Sequence, residues 1–168
     1  MTHNVTSDAD STSDDAADAD ALAIEIVGDD DQVTLGPQDF ETFPTTDREC
    51  TIECASGTRT TGTWTGVVLA DLLDRVETPP ETTHVRVTST DGYAVCVDIV
   101  AALDAIVAVA RNGEPLAEHK PYATRFLGGK IDGARTVKGV AEIEPLALEP
   151  NADPSDLESM SLDDASYG

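Results

Sequence analysis

The sequence predicts an α+β fold with mixed β-sheet and few short helices. Three observations carry that expectation. Short runs of alternating apolar residues recur along the middle of the 168-residue chain. Only one or two stretches show helical spacing of apolar residues. The two patterns do not alternate regularly as βαβ units would, and no internal repeat is present.

The elements follow in chain order. Ala21–Val27 (ALAIEIV) reads as a strand, the three aspartates 29–31 as a turn, and Gln32–Leu35 as a second short strand. Gly36-Pro37 breaks the chain, and Asp39–Phe43 fits one turn of helix before Pro44. Arg48–Ala55 (RECTIECA) alternates, which puts Cys50, Ile52 and Cys54 on one face of a strand. Residues 56–63 (SGTRTTGT) are small, polar and punctuated by glycine, and are expected to form a loop. Val68, Leu69, Leu72, Leu73 and Val76 fall at helical spacing, and Pro79-Pro80 would stop that helix. His84–Thr90 and Tyr93–Val97 read as strands joined at the turn pair Asp91-Gly92. Asp98 suits the N-cap of a short helix through Leu103. Ile106–Ala110 is a further strand ended by Asn112-Gly113, and Ala134–Leu148 holds the last strand or two.

Charge divides the chain. There are 33 Asp+Glu against 10 Lys+Arg, a formal net charge of -23. Residues 1–20 and 149–168 hold six acids each and no Lys or Arg. Such segments bury too little apolar surface to offset their ordering entropy, so both are expected to be disordered acidic tails around a domain at 21–148. The acidic excess argues against nucleic acid as a partner, because phosphates are held by cations. It also suggests a halophilic setting, where added carboxylates keep a protein soluble. No apolar run approaches the ~18–20 residues of a membrane span, and the polar start does not read as an export signal. A cytoplasmic protein is expected.

Two places could carry chemistry. Cys50 and Cys54 are spaced C-x3-C, unlike the usual zinc pair, and on one strand would stand ~13 Å apart, beyond disulfide reach. For each of these, and for Cys96, a small buried side chain is the default reading. Cys54 differs because it opens a Gly/Thr-rich loop holding Arg59, an electropositive setting that favours a thiolate, which could be a nucleophile or a soft-metal ligand. The second place is Arg125–Lys138 (RFLGGKIDGARTVK), which concentrates Arg125, Lys130, Arg135 and Lys138 among three glycines. Glycines allow close backbone approach and the cations suit phosphate, although no Walker loop is present. Ordinary turns with cations balancing acidic neighbours are the plainer alternative. His84 and His119 have no partner at catalytic spacing.

Taken in order, the runs ECASG, Trp64-Thr65-Gly66-Val67, Ser89–Tyr93 (STDGY), Asn112–Leu116 (NGEPL) and Gly133–Lys138 (GARTVK), with Ile143-Glu144, make a composite signature. It resembles the molybdopterin-binding domain of sulfite-oxidase-like oxidoreductases, over roughly Ala21 to Leu148. The resemblance implies mixed sheets around a buried molybdenum–molybdopterin cofactor, with molybdenum bound through the sulfur of Cys54. Ser56 and Arg59 would border the metal. Arg125, Lys130, Arg135, Thr136 and Lys138 match the segment that holds the pterin and its phosphate, and Tyr93 lies in a hairpin that is structural or substrate-facing.

The implied activity is two-electron oxygen-atom transfer on a small-molecule substrate, with electrons passed to a separate carrier. That carrier is implied because neither a C-x-x-C-H haem signature nor an iron–sulfur cysteine set is present. Departures are also visible. The family's H-G-x-P-L-R is replaced by His119–Arg125 (HKPYATR), and Gly139 follows the motif lysine where tryptophan is common. These leave open a non-catalytic ligand- or partner-binding domain of the same fold. Sulfite as the substrate is not supported, because its cationic pocket would need arginines and the sequence has few to spare.

Overall fold

The computed structural model describes residues 22–53, 57, 59–131 and 133–159, and among them ten strands and four short helices. Sheet A has the order β2 (Gln32–Leu35), β1 (Ile24–Val27), β10 (Val140–Leu146), β5 (His84–Ser89), β6 (Ala94–Asp98). β1 and β10 run parallel and the other pairs antiparallel, so the sheet is mixed. Sheet B has the order β3 (Thr46–Glu53), β4 (Arg59–Val68), β7 (Ile106–Arg111), β8 (Glu114–Pro115), and β9 (Arg125–Leu127) also pairs with β7. The helices are α1 (Pro37–Phe40), α2 (Leu69–Leu73), α3 (Ile99–Leu103) and α4 (Leu116–His119).

Alternation within the strands decides where the core lies. On β5, Val85 and Val87 point inward at 0 % exposure, while His84, Arg86 and Thr88 point outward. Ile24, Ile26, Ile143, Val95 and Val97 complete the inner face of sheet A. They pack against Val67, Val107 and Phe126 of sheet B, and α2 closes the cluster with Leu69, Leu72 and Leu73. The neighbours of Val107 and Phe126 in their strands, Ile106, Ala108 and Leu127, must face the other way. They join Cys50, Ile52, Trp64 and Leu116 in a second cluster on the opposite side of sheet B.

Several expectations shift. Of the expected loop at 56–63, residues 59–63 belong to β4, because β-branched threonines suit a pleated ladder and pair with β3 from Glu53↔Arg59 onward. The helix expected up to Pro79 stops at Leu73, and Val68 stays in the strand at φ -64, ψ 135. Val76 is buried nonetheless. The turn at Asn112-Gly113 forms as expected, with φ 52 and φ 84, the pair of positive values that a two-residue hairpin needs. Asp98 caps α3 by accepting from the Val100 amide at 2.8 Å. β8, β9 and α4 were not anticipated.

The segment after Leu148, expected as acidic tail, continues the structure to Ser159. Asp153 caps a 3-10 turn at Pro154–Leu157. Ser159 then pairs with Ala94 at the edge of β6 through two amide–carbonyl bonds of 3.1 and 2.9 Å. That docking explains why Ala94 and Cys96, on the outward face of sheet A, are buried. Residues 1–20 and 160–168 lie outside the described residues. Among the described residues no helix is long and apolar enough to cross a membrane.

Candidate functional site

The second cluster is bordered by arginine where a core would hold hydrocarbon. β9 leaves Phe126 in the main core and turns Arg125, its neighbour, to the opposite side of sheet B. β7 ends with Arg111 opposite Trp64 of β4. Both guanidinium carbons lie over the Trp64 ring, at 5.4 Å for Arg111 and 5.9 Å for Arg125, within cation–π range. Gly62 makes room: a Cβ there would lie 2.7 Å from Arg111 Nε.

Arg125 also ties this face to the later motif. Its Nη2 donates to the Thr136 hydroxyl at 2.8 Å and its Nη1 to the Tyr122 hydroxyl at 3.4 Å. Thr136, 5 % exposed, donates in turn to the Gly133 carbonyl at 2.7 Å. Arg125 and Lys138 face each other in an antiparallel bridge, and the Lys138 side chain is exposed.

Three buried donors of this cluster have no acceptor among the described residues: Trp64 Nε1, Arg111 Nε and Arg125 Nε. A buried donor left unsatisfied costs about 1–3 kcal/mol, so three on one face are an expensive arrangement for a purely structural core. All three are donors and two belong to cations. The chemistry they lack is an acceptor, preferably anionic, such as a phosphate or the carbonyl and sulfur edge of a pterin. The residues present fit such a group.

The structure divides the residues expected from sequence. Arg125, Thr136 and Lys138 come together. Arg59 is exposed at the start of β4, opposite Glu53. Cys54 and Ser56 lie outside the described residues. Lys130 and Arg135 instead line a hollow of about 370 Å³ at the edge of β6, with His84, Cys96, Asp153 and Glu158. The Arg135 guanidinium, expected on phosphate, is held by Glu158 through Nε at 2.8 Å and Nη2 at 2.9 Å. Tyr93, expected near the reacting centre, packs half-buried against the main core.

The two described thiols are ordinary buried side chains. Burial pushes Cys50 up, with Arg48 opposing and Asp104 reinforcing the shift. Burial and then the Glu158 carboxylate push Cys96 up, against Arg86 and Arg135. Both are protonated at neutral pH. Among the described residues no three His, Cys, Asp or Glu side chains converge on a metal position. Arg111 and Tyr122 were not singled out from sequence. The visible signal for Arg111 was a lone cation ending the apolar run IVAVAR.

No curated protein matches the sequence. Among solved structures, the sulfane dehydrogenase SoxCD from Paracoccus pantotrophus matches with a TM-score of 0.70 at 18% identity, over 80% of this chain and 40% of that one. The fold is therefore shared, while this chain spans less than half the length of that structure's chain. Residues 11–152 match the model of the oxidoreductase molybdopterin binding domain, most of the sequence. The resemblance read from the sequence and the mixed-sheet fold it implied are thereby borne out, and the chain belongs to the oxidoreductase molybdopterin-binding domain family.

Proposed function

We propose that this domain holds a molybdenum–molybdopterin cofactor and works as a small oxidoreductase of sulfite-oxidase type. It acts on a small-molecule substrate and passes electrons to a separate carrier. The observation that carries this reading is the set of acceptor-less buried donors at Trp64, Arg111 and Arg125, adjoining Thr136 and Lys138. When bound, the cofactor supplies two-electron redox chemistry coupled to transfer of an oxygen atom. The chain's own residues bind and orient. Arg125 and Lys138 neutralise the phosphate, Thr136 fixes the Arg125 guanidinium, and Trp64 with Arg111 donates to the acceptor edge of the heterocycle. Cys54, two residues beyond Ile52 in the same alternation, is assigned the sulfur bond to the metal, with Ser56 and Arg59 beside it. Tyr93 and Lys130 are left out of the set because Tyr93 packs against the main core and Lys130 lines the hollow at the edge of β6. The acidic excess supports a salt-rich cytoplasm as the setting.

The test is purification from a host that makes the cofactor, with molybdenum and pterin measured per chain. The unaltered protein is expected to carry both, and Cys54→Ala to lose molybdenum. Lys138→Glu should weaken pterin retention tenfold or more, as expected from losing a charge-assisted bond worth ~1.5–3 kcal/mol. Pterin without metal in the unaltered protein would favour a non-catalytic binding domain of this fold. Neither component, from a host that loads related enzymes, overturns the reading.

A further inference from the structure

We infer that Glu158 is a positioning residue for the cofactor site, acting through Arg135; this rests on the reading above. Glu158 lies in the acidic segment after the last strand, yet its side chain is only 6 % exposed. Its carboxylate receives three donors: Arg135 Nε at 2.8 Å, Arg135 Nη2 at 2.9 Å, and the Cys96 amide at 2.9 Å. A carboxylate bound bidentately by arginine and also by a backbone amide is fixed in direction as well as position.

The segment that carries it is itself anchored. Asp153 caps the turn before it, and Ser159 pairs with Ala94 on both sides of the peptide. Glu158 is thus an arm extended from a docked strap, and what it grips is the 3-10 turn Gly133–Arg135.

The consequence lies one residue further on. Arg135 reaches toward Glu158 at the β6 edge, while Thr136 reaches Arg125 on the outer side of sheet B. After Thr136 the path is secured by the Phe126 amide on the Val137 carbonyl at 2.8 Å and the Gly139 amide on the Thr124 carbonyl at 2.8 Å. Before it, the Ile131 amide closes a turn on the Gly128 carbonyl, and Asp132 lies outside the described residues. The Arg135–Glu158 pair therefore holds the upstream side of the turn. Without it, Thr136 would keep its downstream anchors and its own bonds to the Gly133 carbonyl, but the turn would lose its tie to the docked segment, which helps set the Thr136 hydroxyl against Arg125 Nη2. Glu158 touches none of the atoms assigned to the cofactor. Its influence passes through the backbone between positions 135 and 136.

The experiment compares Glu158→Gln with the unaltered protein, both loaded in a cofactor-producing host. Glutamine keeps an acceptor for the Cys96 amide and removes the charge that grips arginine. Pterin release is followed after dilution, at a temperature where circular dichroism shows both proteins folded. Release about tenfold faster in E158Q is expected, with partial recovery in Glu158→Asp, which restores the charge on a shorter arm. Equal release in E158Q and the unaltered protein overturns the inference. Should E158Q not accumulate folded, E158D is measured alone, and release at the unaltered rate overturns it equally. If the unaltered protein carries no pterin, the proposed function fails instead. Hydrogen exchange at the Thr136 and Val137 amides then reads the clasp directly: faster exchange in E158Q sustains it, and unchanged exchange removes it.

Discussion

The two faces of sheet B receive side chains from the same strands and treat them oppositely. Inward, Val67, Val107 and Phe126 meet the valines and isoleucines of sheet A, and the contact is hydrocarbon throughout. Outward, Ile106, Ala108 and Leu127 share a cluster with Trp64, bordered by Arg111 and Arg125 whose buried nitrogens lack acceptors. The inner face gains stability from apolar area removed from water, about 25 cal/mol per Å². The outer face gives some of that up by burying donors that folding does not satisfy. Among the described residues one further such donor, Arg86 Nε, lies on the outward face of sheet A, while three gather around Trp64; that concentration is more than folding alone calls for.

The comparison breaks most visibly at Ile143, which is fully buried on the inner face. Ile143→Ala removes packed methyl groups from a close-packed site, at a cost of about 2–5 kcal/mol. Urea unfolding should show that loss in the midpoint. Pterin retention by the fraction that remains folded should be unchanged, because Ile143 belongs to the cluster on the other side of the sheet. Retention falling in step with stability would mean that the two faces are not separable.

Trp64→Phe reverses the pattern and has a smaller effect on the fold. It deletes one unsatisfied buried donor together with part of an apolar ring, and the two terms oppose, so stability should move by no more than about 1 kcal/mol. Retention should drop roughly tenfold, since the variant loses the indole N–H and part of the aromatic face beneath two guanidinium groups. A loss of several kcal/mol of stability with retention intact would make Trp64 an ordinary core residue and remove the chief support for the site.

How much of this was legible in the sequence follows the same division. The inner face was readable because period-2 alternation in His84–Ser89 and Ile24–Val27 is a local signal, and so was the Asp98 cap. Threonines 60, 61 and 63 looked like loop because their strand is defined by partners, β3 on one side and β7 on the other, that no local window contains. The helix at Leu69–Leu73 is shorter than the spacing predicts because the amides of Arg75 and Val76 bond three residues back, to Leu72 and Leu73, and do not continue the α-helical pattern. At the site, the glycine-rich cationic run was found as a run, but the sequence could not show that Arg135 and Thr136 face opposite ways. Arg111 escaped notice because its partner is Trp64, 47 positions earlier in the chain. The grip of Glu158 on Arg135 was hidden for another reason: low hydrophobicity made the whole terminal stretch read as unstructured.

The smallest predicted effect sharpens the contrast from the outward face of sheet A, where the buried Arg86 Nε also lacks an acceptor among the described residues but carboxylates crowd around it. Glu142 stands beside Glu25 in the parallel pair of β1 and β10, and Glu144 lies two residues on, opposite Arg86. Partial burial, then Glu144 and Glu25, raise the Glu142 carboxyl above the ordinary carboxylate range, while Arg86 pulls it down. A raised carboxyl pKa means that the folded chain holds this proton more tightly than the unfolded chain does, so ionisation works against folding. The penalty is complete above the folded-state pKa, fades as pH falls through it, and is gone below the ordinary carboxylate value. Glu142→Gln removes it and should raise the thermal midpoint at pH 7 by on the order of 2 °C, a modest figure because the group is partly solvated. Near pH 4 the gain should shrink toward zero, since both proteins are then largely neutral at this position. The same gain at both pH values would assign the effect to packing or strand propensity. A loss at pH 7 would mean that Arg86 outweighs the two neighbouring glutamates, and that this face, unlike the outer face of sheet B, is already balanced in charge.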